Sequence, residues 1–352
     1  MRYPLSVRFA SQLLAGTPAA DVATVVERIC AVQAQDLQAA RLAIRARSTG
    51  LTASDVDRAL TEDRTHCVTW LNRGTLHLIH RDDYWWLHAL TAPTSRTPNA
   101  TRLAQVGVAP GDAERATKFI DKWLATDGPL LRRDIGERLA AKGIQTHGQA
   151  LVHLLMYASL RGHIVRGPMM GREQAFVLAR DWCGSPPRLD RDKALARLAR
   201  RFLAGHAPAG DRDLAKWAGL PLRDVRRGLA LIEPETVIDD DGQVVLASQP
   251  HEPAAPTAKL LGAFDPVLMG WVDRDWVLDG AGHILTSNGV FLAFALVDGV
   301  AAGTWRRHGS EVDLDPFRAL SPSAQRALTA EAADVRRFLA AGPAARPALD
   351  VR

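Results

Sequence analysis

Four polar side chains within the first eighty residues have the types and spacing to do chemistry: Gln33 and Gln35 in AVQAQD, and Thr75 and His77 in RGTLHLI. Gln33 lies four positions after Ile29 and seven after Val26. There the apolar stripe of a helix capped by Asp21, and built on Val22, Val25, Val26, Ile29 and Val32, should continue. An amide is therefore expected at a buried position, and burying one without a hydrogen bond costs about 1–3 kcal/mol. Gln33 either ties helices together or lines a polar pocket. Gln35 would point about 200° away if that helix continued. Both amides reach one pocket only if the helix stops here, and Asp36 is a suitable N-cap for the next one. Thr75 and His77, two apart on an expected strand, share one face of it. Amides titrate no proton, so what they offer is hydrogen bonding, dipole stabilisation and the holding of water.

Such residues need a frame, and periodicity supplies one. Thr52 to Asp55 has capping-box spacing for a short helix, and HCVTWLNRGTLHLIH, residues 66 to 80, has the composition of a hairpin centred on Asn72-Arg73-Gly74. The order of two helices and a hairpin then returns twice, with negligible identity between copies. Residues 128 to 143 and 149 to 165 read as helices, followed by a turn and a strand over 167 to 179. Residues 211 to 232 read as two short helices split at Gly219 and Pro221, followed by a hairpin over 236 to 246 around Asp241-Gly242. Two helices, a tight turn and a trailing hairpin make a winged helix, and helix-turn-helix units mostly serve DNA.

The expected fold is α+β: about three tandem winged helix-turn-helix units at 1–125, 126–190 and 191–247, then a C-terminal β-rich segment with a closing helix at 248–352. Residues 191 to 206 are expected to form an amphipathic helix whose arginines could touch phosphate but read rather as a solvated face. Pro250, Pro253 and Pro256 mark a linker over 248 to 259. Residues 260 to 310 read as strands with a turn at Asp298-Gly299, and 324 to 341 as the closing helix. Trp85 and Trp86 read as core residues, and Asp265 and Asp273 have no evident acid partner.

Composition narrows the function classes. The chain has 352 residues, 47% hydrophobic and 24% charged, enough for two or three domains with their own cores. Nowhere do eighteen apolar residues run without a charge, and the first 25 residues hold no uninterrupted apolar stretch, which argues against secretion and membrane spanning. Cys30, Cys67 and Cys183 lie far apart, so neither a disulfide framework nor a zinc site is suggested, and a reducing cytoplasm is expected. The net charge of +5 leans toward a polyanionic partner, although only six of the 44 basic residues are lysine. The motifs of phosphate-binding loops, dinucleotide folds, zinc proteases and serine esterases are all missing. No metal or cofactor is expected.

Taken together, VQAQD, then TWLNRGTLHLI about forty residues later, then LLGAFDPVLMGWVDR and LVDGVAAGTWRR, resemble the winged-helix crosslink-repair DNA glycosylases of the AlkZ/YcaQ type. The resemblance covers about residues 5 to 340. It implies tandem winged helices around a concave basic channel, with Gln33 and Gln35 at the family's catalytic Gln-aliphatic-Gln/Asp motif. The middle residue is the small Ala34, and the second is Gln as in the AlkZ branch. The activity implied by the resemblance is that of a monofunctional glycosylase for cationic N-alkylpurines in double-stranded DNA, among them bulky N7-alkylguanine adducts or interstrand crosslinks. Self-resistance to a DNA-alkylating natural product would be a fitting context. Gln35 would position water and Gln33 hold water or sugar, with Thr75 and His77 supporting the pocket. Arg73, Arg132, Arg133, Arg306 and Arg307 are candidate phosphate contacts. None of the six lysines is near the Gln33 or Thr75 segments in sequence, which favours water over an amine as nucleophile. The chain is expected to act as a monomer. The rival reading is a winged-helix regulator without catalysis, in which Gln33 is a structural amide.

Overall fold

The computed structural model describes residues 3–249, 255–286, 289–309 and 311–340. One order of elements occurs three times: a helix, a very short strand, two helices, and a hairpin whose last strand pairs back with the short one. In the first copy, helix Val22–Ile29 leads to β1 (Val32–Gln33), helices Leu37–Arg47 and Ala53–Thr61, and strands β2 (His66–Trp70) and β3 (Leu76–His80), with β1 on β3. In the second, helix Asp112–Asp127 precedes Leu130, which pairs with Phe176. Helices Arg132–Ala140 and Ala150–Leu160 and strands β4 (Ile164–Met170) and β5 (Glu173–Leu178) complete it. In the third, helix Arg191–His206 precedes Ala209, which pairs with Val244. Helices Asp211–Ala218 and Leu222–Leu231 and strands β6 (Thr236–Ile238) and β7 (Val244–Leu246) follow.

The first two hairpins merge. β2 pairs with β4 at Val68 and Arg166, giving one antiparallel sheet of order β1-β3-β2-β4-β5. A second sheet, β11-β10-β9-β8, is built from β8 (Ala258–Leu261), β9 (Phe294–Val297), β10 (Val300–His308) and β11 (Glu311–Pro316). Leu328 and Val335 of the last helix, Pro322–Ala340, cluster together with Leu42 of helix Leu37–Arg47 and with Leu260 and Trp305 of this sheet. Among the described residues no helix is long and apolar enough to cross a membrane.

Local chemistry explains most boundaries. Asp21 and Asp36 accept hydrogen bonds from the backbone N–H groups of Thr24 and Gln38, and Thr52 with Asp55 forms a capping box. The first helix differs from expectation. It stops at Ile29, because Cys30 turns the chain with φ of 69°, so Val32 and Gln33 lie on a strand rather than on the helical stripe. The run 128 to 143 is helical only from Arg132 to Ala140. The run 149 to 165 leaves the helix at Leu160, where Gly162 at φ 82° turns it into β4. Residues 167 to 179 form most of a hairpin, not a turn and one strand. Between β8 and β9 the expected strands are replaced by short helices Pro266–Met269 and Asp275–Leu278. Of the linker prolines, Pro250 and Pro253 lie outside the described residues, as does the last residue of the expected helix 324 to 341.

The arginines of helix Arg191–His206 form a face that is partly solvated, with the Arg191, Arg197 and Arg200 side chains 54, 45 and 43% exposed, and it is ion-paired as well. Arg197 and Arg201 both bind the buried Asp83, at 2.6 and 2.9 Å, and Asp83 also accepts from the Trp86 indole N–H at 2.9 Å. Trp86 is buried as expected, whereas Trp85 is half-buried and donates to the Gly184 carbonyl at 2.8 Å. The partner of Asp265 is a base, not a second acid. The Asp265 carboxylate meets the Arg47 guanidinium in two bonds of 2.7 and 2.9 Å, with both side chains fully buried.

Candidate active site

β1 is only two residues long, yet it places the amide that the sequence singles out. Gln33 sits directly opposite His77 on β3, so the two side chains share a face of the sheet. One step on, the Ala34 N–H donates to the Leu76 carbonyl at 2.7 Å, while the Leu76 N–H donates to Gln35 Oε1 at 3.1 Å. The Gln35 side chain thus supplies the acceptor that a longer β1 would have offered from its backbone. Gln33 is 9% exposed, and Gln35 is exposed at the edge.

The turn between β2 and β3 shapes the other side. Arg73 adopts φ of 56°, and its guanidinium donates to the Trp217 carbonyl and, at 2.9 Å, to the Lys216 carbonyl. These are the last carbonyls of helix Asp211–Ala218, where the helix dipole favours a cation. The Thr75 hydroxyl donates to the Asn72 carbonyl at 3.0 Å. His77 is buried, and its Nδ1 lies 3.0 Å from the Thr75 carbonyl. A carbonyl only accepts, so Nδ1 carries the proton and Nε2 keeps its lone pair. Burial first, then the neighbouring Arg73 charge, push the His77 pKa down to about 3, so the imidazole stays neutral.

Gln33 and Thr75 open onto a cavity of about 200 Å³. Three cations line it as well, Arg73, Lys216 and Arg274, together with the rings of Phe264 and Phe291. Lys216 donates from Nζ to the Val272 carbonyl at 3.4 Å. Arg274 donates to the Leu268 carbonyl at 2.6 Å and lies over the Phe291 ring, 5.1 Å from its centre. The positive charges crowd each other. Burial lowers the pKa of Arg73 and Arg274, with Arg274 adding to the effect on Arg73. Burial, then Arg274 and Arg73, lower that of Lys216 against the opposing pull of Asp213. The Asp213 carboxylate is committed to the backbone N–H groups of Gly210 and Val272, both at 2.8 Å. None of the described residues lining the cavity is a carboxylate. This wall can bind phosphate, hold water and stabilise by dipole, and it has no carboxylate to move a proton.

The structure thus gathers Gln33, Thr75 and Arg73 at one cavity, with His77 beside Gln33, whereas Gln35 is exposed and is not one of the lining residues. It does not gather the remaining arginines there. Arg132 and Arg133 are exposed in the first turn of helix Arg132–Ala140, where Arg133 lies 3.2 Å from Asp134. Arg306 and Arg307 are exposed neighbours on β10, so they point to opposite sheet faces and cannot both follow one phosphate track. A larger hollow of about 360 Å³ beside Leu103, Val108 and Tyr157 holds none of the candidate residues. Sequence reasoning misses Lys216, Arg274, Phe264 and Phe291. Phe264 and Arg274 lie in GAFDPVLMGWVDR, a stretch that carries the family resemblance without marking these side chains. Lys216 is hidden by its distance along the chain, which the fold closes.

Comparison with known proteins identifies the family. The model of the family described as DNA glycosylase AlkZ-like matches residues 26–338. The interstrand DNA cross-link repair glycosylase of Streptomyces sahachiroi is 27% identical over 339 residues, 89% of each chain. The solved Streptomyces sahachiroi DNA glycosylase AlkZ superimposes with a TM-score of 0.76 over 96% of both chains at 24% identity, a likeness of fold. With most of its length matched by one family model, this chain belongs to the AlkZ-like DNA glycosylases.

Proposed function

We propose that this glycosylase excises cationic N-alkylpurines from duplex DNA by water attack at C1′ of the sugar, and that its range includes bulky N7-alkylguanine adducts and interstrand crosslinks. The observation that carries the reading is Gln33 in the wall of a cavity lined by three cations and no described carboxylate. Alkylation at N7 of guanine or N3 of adenine makes the base a cationic leaving group, so departure needs little acid catalysis. What remains is to steady an oxocarbenium-like sugar and to place a water, which amide dipoles do. Gln33 faces sugar or water. Gln35 is oriented by the Leu76 N–H, which uses one Oε1 lone pair and leaves the other for water. Neutral His77 fixes the strand beside Gln33, and Arg73, Lys216 and Arg274 take flanking phosphates.

The cavity size would leave a bulky adduct outside it. About 200 Å³ is below the ~300 Å³ at which small-molecule pockets begin, so it suits a sugar-phosphate better than an enclosed adduct. The thrice-repeated order of helix, short strand, two helices and hairpin supports three winged-helix units, near 1–125, 126–190 and 191–247, with 248–352 as a fourth segment. The crosslink-repair name of the Streptomyces sahachiroi relative supports the substrate class.

The test is free-base release from duplexes carrying N7-alkylguanine, N3-alkyladenine, uracil or 8-oxoguanine. Release of the two cationic bases and neither neutral one is expected. No release from any, together with preference for one undamaged sequence by about 10³-fold or more, would establish the regulator reading instead.

A further inference from the structure

We propose that Lys216 gives this enzyme a second activity: its Nζ captures the abasic product as a Schiff base at C1′, holding the strand after the base has left. The inference rests on the glycosylase reading only in taking the abasic sugar to be what remains in this cavity. Lys216 lies near the end of helix Asp211–Ala218, opposite the Arg73 turn, and shares the cavity with Gln33 and Thr75. Its amine is anchored by the Val272 carbonyl, a weak acceptor at 3.4 Å that leaves the lone pair free to develop once a proton is lost. Among the described lining residues it is the one primary amine.

The surroundings favour the neutral, nucleophilic form. Arg73 and Arg274 flank the same space, and burial first, then Arg274 and Arg73, lower the Lys216 pKa against the pull of Asp213, which raises the fraction of free amine. Those two guanidiniums are equally suited to the phosphates on either side of an abasic sugar. One cation pair thus activates the amine and seats its electrophile.

The chemistry balances without a co-reactant. The abasic sugar opens to its aldehyde, and the Lys216 lone pair attacks C1′. A carbon–nitrogen bond forms, and the aldehyde oxygen leaves as water with the two amine protons. Hydrolysis by one water reverses the capture. Cleaving the strand would need a base to take the C2′ proton, and the described lining supplies no carboxylate for it. Capture is therefore expected to be faster than strand scission.

The experiment uses the full chain and a labelled duplex carrying a preformed abasic site, treated with borohydride. No base excision is needed, so this inference and the glycosylase reading fail separately. Wild-type protein should form a covalent adduct whose peptide map carries the sugar on Lys216. Lys216→Arg, which keeps the charge and removes the nucleophile, should lose at least about tenfold of the adduct, as should Lys216→Ala. Lys193→Ala, an exposed lysine paired with Asp190, should trap as wild type does. The trapped yield should reach half its maximum below the ~10.4 of an ordinary lysine. No adduct with wild-type protein, or an undiminished adduct with Lys216→Arg, overturns the proposal.

Discussion

Replacing Asp265 with asparagine removes a charge and almost no volume, which makes it a sharp probe of how the cavity wall is held. The carboxylate makes two short bonds to Arg47 and a third, at 3.0 Å, with the Val267 N–H. Arg47 has two further acceptors, Gln12 Oε1 at 2.8 Å and the Ala43 carbonyl at 3.0 Å, neither of which carries charge. With both side chains fully buried, Asp265→Asn leaves a guanidinium charge uncompensated, at a cost of about 3–5 kcal/mol. Against a typical total of about 5–15 kcal/mol, that is a large fraction. Urea unfolding should show a lower midpoint with little change in slope. Arg47→Met combined with Asp265→Asn should cost less than the sum of the two single changes by more than about 1 kcal/mol, because removing both charges leaves none stranded. Phe264, the preceding residue and part of the cavity lining, should shift, so base release should fall even where the variant is folded. A loss under about 1 kcal/mol for Asp265→Asn, or strict additivity in the cycle, would refute the reasoning.

Stability should also fall on mild acidification. Burial holds the pKa of His66 and His88 down to about 4, and of His77 and His206 down to about 3, against the ordinary ~6.5. The unfolded chain therefore binds more protons than the folded one between about pH 4 and 6.5, and stability rises with pH through that window and levels off above it. Each imidazole contributes about 2 kcal/mol of loss at pH 5 relative to pH 7 or above. Urea midpoints that stay flat from pH 7.5 to 5 would rule this out. A Cβ on Gly205 would lie 2.1 Å from the Arg28 carbonyl oxygen, where helices Val22–Ile29 and Arg191–His206 touch. Gly205→Ala should therefore lower the melting temperature by the equivalent of about 1–3 kcal/mol or more. An unchanged or raised melting temperature, as alanine's helix propensity alone would give, would show that the crossing is not close.

Much of the frame is legible where the signal is local. The helix from Arg191 to His206, the pair split at Gly219 and Pro221, and the hairpins at Asp241-Gly242 and Asp298-Gly299 all arise from caps, turn residues and periodicity within a few positions. Helix Tyr84–Gln105 stays hidden because Pro93 and Pro98 sit inside it, against the usual cost of interior proline. β1 is misread from sequence because its identity depends on β3, more than forty residues away, while the valines before it continue a helical rhythm that Cys30 interrupts. The amides and Thr75 can be found from residue type and neighbourhood. The cations cannot, since Lys216 and Arg274 reach Gln33 only through packing of the third repeat and the C-terminal segment against the first.

The central claim is that the two amides do the chemistry. Single-turnover release of N7-alkylguanine should be measured for the Gln33→Ala, Gln35→Ala double variant, with melting temperature and DNA affinity alongside. Removing comparable stabilising dipoles costs about 10²–10³-fold in rate, so a loss of at least about 10² is expected with affinity little changed. Gln35→Asp should keep part of the activity by offering a water-activating oxygen. A folded double variant that releases the base at the wild-type rate would contradict the account.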